Sequence, residues 1–332
     1  MRFLSGVLAS CPFEARLIGD DSLSARPMER IAEPLREMGA KVQTSDGLPP
    51  ITVHGGPLVG IRYATPVPSA QIKGAVLLAA LAAEGDTTVV EPAATRDHTE
   101  RAIEHLGGPV RTEGLAVTVS GFQQRGFAAS VPGDVSSAAF LIAAAALTGG
   151  TLRIDDVGLN PSRTHLFGVL DRMGVGLHAD VERYELGEPV GSIDVEATGR
   201  LTGTAVSEQE LPLVIDEVPV LAMLAASADG ESRFNGAAEL RVKESDRLEG
   251  VEEAIRSLGG HARIEGDDLV VAGGGFRGGT ASSRGDHRLA MAIAVAGLGA
   301  RGSVTVDRVE AADVSFPGFV RALAALGARI ET

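Results

Sequence analysis

The sequence predicts an α/β protein built from about five copies of one unit, and three observations support that prediction. An amphipathic helix that ends in Leu-Gly or Met-Gly recurs five times along the chain. The intervals between successive glycines are 67, 68 or 85 residues. An apolar, alanine-rich helix precedes each such phrase, and β-rich segments follow most of them. The five glycines are Gly39, Gly107, Gly174, Gly259 and Gly327.

Each copy is expected to contain a helix, a strand, a second helix and then two strands. Glycine just past a helix supplies the left-handed residue that ends it, so the five glycines mark the ends of the second helices. The first helices are predicted at Phe3–Ser10, Lys73–Glu84, Ala138–Leu147, Pro219–Ser227 and Leu289–Leu298. The second helices are predicted at Arg26–Glu37, Thr95–His105, Pro161–Arg172, Glu244–Ser257 and Pro317–Ala325. The strands between them include Asp86–Val90, Thr151–Ile154 and Ser303–Val306.

The copies fall into two predicted domains. The extended stretch Ser130–Asp134 carries proline and glycine and separates two copies. We therefore expect an N-terminal domain of residues 1–130 with about two units and a C-terminal domain of residues 131–332 with three. The first copy has no strand or polar loop before its helix, so the chain is expected to start inside a unit.

Composition narrows the class of protein. The 332 residues are 44% apolar and 22% charged, which is typical of a globular protein with a sizeable core. The net charge is −14 and the basic residues do not cluster, which argues against nucleic acid or a membrane surface as partner. One cysteine, Cys11, excludes an internal disulfide and a cysteine zinc site. No signal peptide is recognised, so a cytoplasmic location is expected.

Polar loops that lead into helices are candidate anion sites, because free backbone N–H groups and the helix dipole both favour negative charge there. Arg26 precedes one predicted helix, Ser69-Ala70-Gln71 opens another, and Arg96 stands at the start of a third. Each has a simpler interpretation. Arg26 could be a surface arginine at a helix end, Ser69 an ordinary N-cap, and Arg96 part of a surface Arg–Asp pair.

Three later loops carry carboxylates as well as cations. Asp216 and Glu217 lie inside an apolar run, where two acids are costly unless they are used. Glu244 and Arg247, three residues apart next to Lys243, are predicted to meet on one face of a helix start. The last loop, Asp286-His287-Arg288, leads directly into an apolar helix. The alternatives are capping for Asp216, a solvated capping segment for the second loop and a structural histidine for His287.

Together the loops resemble those of the 3-phosphoshikimate 1-carboxyvinyltransferase (EPSP synthase) family, in a form similar to its bacterial class II branch. The matching phrases are GDDSLSARPM at 19–28, SAQIK at 69–73, EPAATRDHTE at 91–100, VKESDRL at 242–248 and GDHRLAMA at 285–292. The resemblance implies a two-domain enolpyruvyl transferase fold of repeated βαβαββ units, here without the first unit and part of the second. It also implies transfer of the enolpyruvyl group of phosphoenolpyruvate to the 5-hydroxyl of shikimate 3-phosphate, with release of phosphate.

The resemblance assigns roles to matching positions. Asp216 and Glu244 would be the acid/base pair. Residues that would bind shikimate 3-phosphate are Ser69, Ala70, Gln71, Arg96, Asp216 and Lys243. Residues that would bind phosphoenolpyruvate are Arg26, Gln71, Arg247 and Arg288. No metal or organic cofactor is expected, because arginines already neutralise the phosphates.

The sequence departs from the family at three places. A Lys-Ser…Arg segment and a later Gly-Asn-Ala/Ser-Gly-Thr loop are not found, and Val314 stands where many members have lysine. We therefore expect little activity from this chain alone, as a fragment or as one piece of an enzyme completed by a separate N-terminal polypeptide. The sister enzyme acting on UDP-N-acetylglucosamine is a further alternative, although Cys11 lies in the wrong context for its reactive cysteine.

Overall fold

A computed structural model describes residues 1–331. The α-helices are α1 Arg2–Leu8, α2 Asp21–Ser24, α3 Glu29–Glu37, α4 Ala70–Ala80, α5 His98–His105, α6 Val135–Thr148, α7 His165–Arg172, α8 Leu211–Val214, α9 Val218–Ser227, α10 Arg247–Ser257, α11 His287–Leu298 and α12 Phe319–Ala325. Two 3-10 helices lie at Ala237–Val242 and Val309–Val314.

The strands are short and fall into several small sheets. They are β1 Glu14–Leu17, β2 Lys41–Ser45, β3 Leu48–His54, β4 Leu58–Val59, β5 Arg62–Ala64, β6 Ala83–Glu84, β7 Thr87–Val90, β8 Val110–Glu113, β9 Ala116–Val119, β10 Thr151–Gly158, β11 Gly176–Glu185, β12 Glu188–Glu196, β13 Ala205–Val206, β14 Glu231–Phe234, β15 His261–Glu265, β16 Asp268–Ala272, β17 Gly279–Ser282 and β18 Val304–Asp307.

The chain forms two compact units. Unit 1 contains Met1–Ser130 together with Tyr184–Glu188, and unit 2 contains Val131–Arg183 and the residues from Pro189 on. Each unit has its own apolar core.

The same strand order recurs in both units. In unit 1, β5 pairs parallel with β7, which pairs antiparallel with β9, and β8 lies outside β9. In unit 2, β13, β14, β16 and β15 repeat this order with the same directions. A first helix, α4 or α9, connects the two parallel strands, and a second helix, α5 or α10, leads into the antiparallel pair. Each sheet therefore belongs to one βαβαββ unit, as the repeat predicted.

The five repeat glycines take the conformation that the sequence predicted. Gly39, Gly107, Gly174, Gly259 and Gly327 follow α3, α5, α7, α10 and α12 with φ between 81° and 110°. A side chain is disfavoured at such an angle, so glycine ends each second helix in the same way.

The first helices form the interior of each unit. Nearly every residue of α9 is buried, and α6 and α11 are buried along most of their length. A helix that is apolar all round belongs in a core. Their polar residues are concentrated at their N-terminal ends, where the chain enters the core.

All five second helices begin later than predicted. The loop residues before them stay outside regular helix, and the first helical residues are Glu29 in α3, His98 in α5, His165 in α7, Arg247 in α10 and Phe319 in α12. In α10 the reason is that the short carboxylate of Asp246 accepts a hydrogen bond from the Glu249 N–H at 3.0 Å.

Within residues 1–331, no helix combines the length and the apolar character that crossing a membrane requires.

Candidate active site

Three buried helices of unit 2 bring their N-terminal residues together. Ser136 in the first turn of α6 donates a hydrogen bond to Glu217, which immediately precedes α9. Arg288 in the first turn of α11 donates from Nη1 to the main-chain oxygen of Asp216 at 2.9 Å. The equivalent starts of three repeated helices therefore form one polar cluster at the edge of the unit 2 core.

Arg247 is the centre of this cluster, and its side chain is only 1% exposed. Its Nε donates to Asp286 Oδ2 at 2.8 Å, and its Nη1 lies 3.7 Å from Asp216 Oδ1. Its Nη2 lies 2.6 Å from Glu244 Oε2, which confirms the predicted pairing of these two residues. Among the described residues, however, Nη2 has no partner with hydrogen-bond geometry. One buried guanidinium thus joins three carboxylates.

Asp286 fixes this guanidinium from the side of the core. Its side chain is fully buried, and its Oδ1 caps α11 by accepting from the Arg288 N–H at 2.8 Å. Ser245 donates to its Oδ2 at 3.1 Å. Burial, and next the charge of Arg288, lower the pKa of the adjacent His287 below 6.5, so that this imidazole is mainly neutral at pH 7.

Asp216 and Glu244, the predicted acid/base pair, therefore approach the same arginine from different helix starts. The side chain of Asp216 also lies 4.0 Å from Arg288 Nη2. Glu244 lies in the segment between a 3-10 helix and α10. Lys243 is the C-cap of that 3-10 helix, and its ammonium lies 3.6 Å from Glu239. Both residues precede the helix in which the sequence placed Glu244, because Asp246 caps α10.

No binding or catalytic role was predicted from the sequence for Glu217, Ser136 or Arg163. Arg163 donates to Ser136 and lies 3.9 Å from Glu217 Oε1. Arg288 Nη1 lies 4.0 Å from the same oxygen. Glu217 is thus buried between two arginines. The signal that could have found Ser136 is its position in the repeat, because it opens α6 as Arg288 opens α11.

Burial raises the pKa of Glu217, and the charge of Arg288 only partly offsets this effect. Folding therefore tightens proton binding at this carboxyl, so the free energy of unfolding falls as pH rises from about 4.5 through the folded-state pKa. We expect Glu217→Gln to remove this pH dependence. For one proton, the free energy of unfolding changes by at most about 1.4 kcal/mol per pH unit. Denaturant unfolding of both proteins between pH 4 and 8 measures it.

The exposed Glu196 provides the matched control. Glu196→Gln should follow the wild-type profile across the same pH range. Parallel profiles for Glu217→Gln and wild type would contradict a proton held more tightly by the folded state.

In unit 1, two predicted substrate residues line one small cavity of about 140 Å³. Arg26 and Gln71 both face it, together with Arg2 from α1. Arg2 donates hydrogen bonds to Gln71 Oε1 and, at 3.1 Å, to the main-chain oxygen of Pro27. Burial, and then the nearby charge of Arg26, lower the pKa of Arg2. Arg2 had been identified only as part of a helix start, and its proximity to Arg26 depends on the packing of α1 against α4.

The other predicted residues of unit 1 do not line this cavity. Ser69 caps α4 by accepting from the Ile72 N–H at 3.3 Å, so the simpler interpretation of this serine is confirmed. Ala70 is the first residue of that helix. Arg96 is half-buried in the loop before α5, and its neighbour Asp97 pairs with Arg101 Nε at 2.8 Å.

The described residues contain no group of three or more His, Cys, Asp or Glu side chains that could hold a metal ion. The polar groups collected at the helix starts are instead arginines, hydroxyl groups and single carboxylates. Such a set suits oxygen-rich anions and proton transfer. Repeated βαβαββ units that carry these groups are what the resemblance to the enolpyruvyl transferase class implied.

Comparison with known proteins identifies the member of this class. The EPSP synthase (3-phosphoshikimate 1-carboxyvinyltransferase) family matches residues 1–323. A 3-phosphoshikimate 1-carboxyvinyltransferase of Desulfitobacterium hafniense is 45% identical over 325 residues, 96% of this chain and 74% of the relative. One of Halorhodospira halophila is 46% identical over 336 residues, 100% of this chain and 76% of the relative. The solved EPSP synthase of Acinetobacter baumannii has a TM-score of 0.90 and 42% identity, and covers 100% of this chain and 77% of its own.

The chain belongs to the EPSP synthase family. Both the predicted fold and the predicted activity, enolpyruvyl transfer from phosphoenolpyruvate to shikimate 3-phosphate, are confirmed. The family and its relatives do not favour the alternative of the enzyme acting on UDP-N-acetylglucosamine. The chain spans 74% and 76% of the two relatives' lengths, and the low activity expected of this chain alone stays a prediction. The expected separate N-terminal polypeptide finds no support either, since the relatives match 96 to 100% of this chain. A cytoplasmic location stays a prediction.

Proposed function

We propose that Asp216 and Glu244 carry the proton transfers of the enolpyruvyl transfer, with Arg247 positioned between them. The observation behind this proposal is that both carboxylates approach one buried guanidinium, Asp216 Oδ1 at 3.7 Å and Glu244 Oε2 at 2.6 Å. Two carboxylates that come from different helix starts can act on different atoms of a substrate held beside the arginine.

The chemistry needs both groups. A base takes the proton of the 5-hydroxyl, and an acid delivers a proton to the C3 methylene of phosphoenolpyruvate. The hydroxyl oxygen then bonds to C2. In the second stage C3 loses a proton, the C2–O bond to phosphate breaks, and the phosphate departs with the bonding electrons. The two carboxyls can exchange roles between the stages, since each addition step is mirrored by an elimination step.

Arg247 and Arg288 would bind phosphoenolpyruvate in unit 2. A guanidinium suits the phosphate and carboxylate oxygens of this substrate. Arg288 is 15% exposed and lies in the first turn of α11. Arg26 and Gln71, which line the cavity of unit 1, are assigned to phosphoenolpyruvate by the family resemblance.

Shikimate 3-phosphate would bind Ser69, Ala70 and Gln71 at the start of α4, together with Arg96. The N-terminus of α4 favours an anion, and a guanidinium suits a phosphate. Lys243 and Asp216 of unit 2 are assigned to shikimate 3-phosphate by the family resemblance.

Solvent exchange at C3 of phosphoenolpyruvate tests the acid/base assignment. Because C3 gains and then loses a proton, enzyme in deuterated water should place deuterium in unreacted phosphoenolpyruvate when shikimate 3-phosphate is present. We expect Glu244→Gln to slow this exchange by about 10²- to 10⁴-fold, the usual worth of a positioned acid or base. Proton NMR of the C3 methylene measures it.

Glu239→Gln is the control. The side chain of Glu239 is 64% exposed, and its ion pair within residues 1–331 is the one with Lys243. It should exchange within about threefold of the wild type. Undiminished exchange in Glu244→Gln would remove Glu244 from the proton transfer.

A further inference from the structure

Unit 1 contains a buried lysine to which the proposed reaction gives no role. The side chain of Lys73, in α4, is 3% exposed. Its ammonium lies 2.7 Å from Glu91 Oε2 and 2.7 Å from Glu100 Oε1, and both carboxylates are almost fully buried. Burial alone would lower the pKa of Lys73, but the hydrogen bonds that its ammonium donates to Glu100 and Glu91 outweigh it and raise the pKa, so the lysine is charged.

Stability alone does not account for this cluster. A buried ion pair can usually be replaced by apolar side chains of similar volume without loss of stability. The cluster also carries an excess carboxylate, and Glu100 Oε2 has no hydrogen-bond partner among the described residues. Burial raises the pKa of Glu100, which reflects the cost of keeping this carboxyl charged inside the protein.

The three charged residues lie on the elements that carry the proposed contacts to shikimate 3-phosphate. Lys73 is two residues beyond Gln71 in the same helix. Glu91 directly follows β7, and Glu100 is in the first turn of α5. The segment between these two glutamates contains Arg96. The ammonium therefore connects the start of α4 to both ends of the Arg96 segment.

Glu91 extends this connection into the segment itself. Its Oε2 accepts from Lys73, and its Oε1 accepts from the Thr95 hydroxyl at 2.5 Å. Thr95 directly precedes Arg96. A chain of two hydrogen bonds thus runs from α4 through one carboxylate to the residue next to the arginine.

We propose that Lys73 and Glu91 are positioning residues for shikimate 3-phosphate, because they hold Arg96 at a fixed place relative to Ser69, Ala70 and Gln71. The inference rests on the proposed binding roles of those four residues. A displacement of about 1 Å in a binding group can reduce its effect on catalysis by about 10²-fold. Neither Lys73 nor Glu91 touches the substrate in this arrangement.

A matched pair of substitutions separates this connection from the rest of the cluster. Thr95→Val removes the hydroxyl that donates to Glu91 Oε1 and leaves the bond between Lys73 and Glu91 in place, so the link from α4 to Arg96 is lost. In Glu100→Gln, the amide oxygen can keep the bond that Lys73 donates to Glu100, and the link through Thr95 is unchanged. Both substitutions preserve side-chain volume. They differ in whether the connection to Thr95 survives.

Calorimetric titration with shikimate 3-phosphate tests the proposal. We expect the Kd to rise about 10-fold or more in Thr95→Val and in Lys73→Met, and less than threefold in Glu100→Gln. The KM for phosphoenolpyruvate should change less than threefold in Thr95→Val, whereas a general loss of folding would affect both substrates. Should Lys73→Met fail to fold, the comparison of Thr95→Val with Glu100→Gln still decides.

Arg96→Met separates this inference from the proposed function. If Arg96→Met weakens shikimate 3-phosphate and Thr95→Val binds it as tightly as Glu100→Gln does, the positioning role is overturned and the binding role of Arg96 stands. If Arg96→Met binds normally, the proposed role of Arg96 fails, and the positioning role fails with it.

Discussion

Asp216→Asn is expected to lower kcat by about 10²- to 10⁴-fold, with much smaller changes in KM for either substrate. The carboxylate would act on a proton in the transition state, whereas an amide of the same shape can neither accept nor donate that proton. Its position beside Arg247 and Arg288 should be preserved, because asparagine keeps one oxygen. Phosphate release at saturating concentrations of both substrates gives kcat.

Asp180→Asn is the matched control, since Asp180 is 59% exposed on unit 2 and pairs only with His178. It should keep kcat within about twofold of wild type. A normal kcat in Asp216→Asn would exclude Asp216 from the chemistry. An equal loss in both variants would point to a general effect on unit 2.

Arg247→Met is expected to cause the largest combined loss, with no measurable turnover and a lower stability. Removing one partner of a buried ion pair typically costs about 3–5 kcal/mol, because the other charge stays buried. Here that charge is Asp286, whose side chain is fully buried. For a unit of roughly 200 residues, this corresponds to a fall in Tm of about 6–20 °C, which circular dichroism can follow.

Two further variants show whether the buried charge is the cause. Arg256→Met changes an arginine of the same helix that is 67% exposed, and it should shift Tm by no more than about 3 °C. Arg247→Met/Asp286→Asn should recover at least half of the lost stability without recovering activity, because the asparagine is neutral and can still cap α11. A single Arg247→Met variant as stable as wild type would contradict the central role of this arginine.

Much of the fold could be predicted from local patterns in the sequence. The glycines after the second helices were predicted from recurrence, and the structure gives all five a positive φ. The pairing of Glu244 with Arg247 was readable as well, because a spacing of three residues needs no knowledge of the rest of the chain. The first residue of each second helix was harder to predict from the sequence. The sequence placed the start of α10 at Glu244, whereas the capping bond of Asp246 places it at Arg247.

The residues that complete the candidate site could not be predicted from local patterns. Glu217 was noted only as a costly acid, and its position between Arg163 and Arg288 joins segments far apart in the chain. Arg2 had no recognised role until α1 was seen to bring it to Gln71 and Arg26. Such contacts depend on which helix starts lie side by side, and neither propensity nor spacing records that.

The sequence by itself determined the repeated α/β unit, the chemistry of its loops and the family. Period, capping residues and turn glycines act within a few residues, so they are fixed by local order along the chain. Only the tertiary structure decided which charges meet. Arg247 reaches Asp286 and Asp216 from other copies of the repeat, and Lys73 reaches Glu91 and Glu100 across unit 1. Buried charges must find partners in space, and packing of the apolar helices determines which partners are within reach.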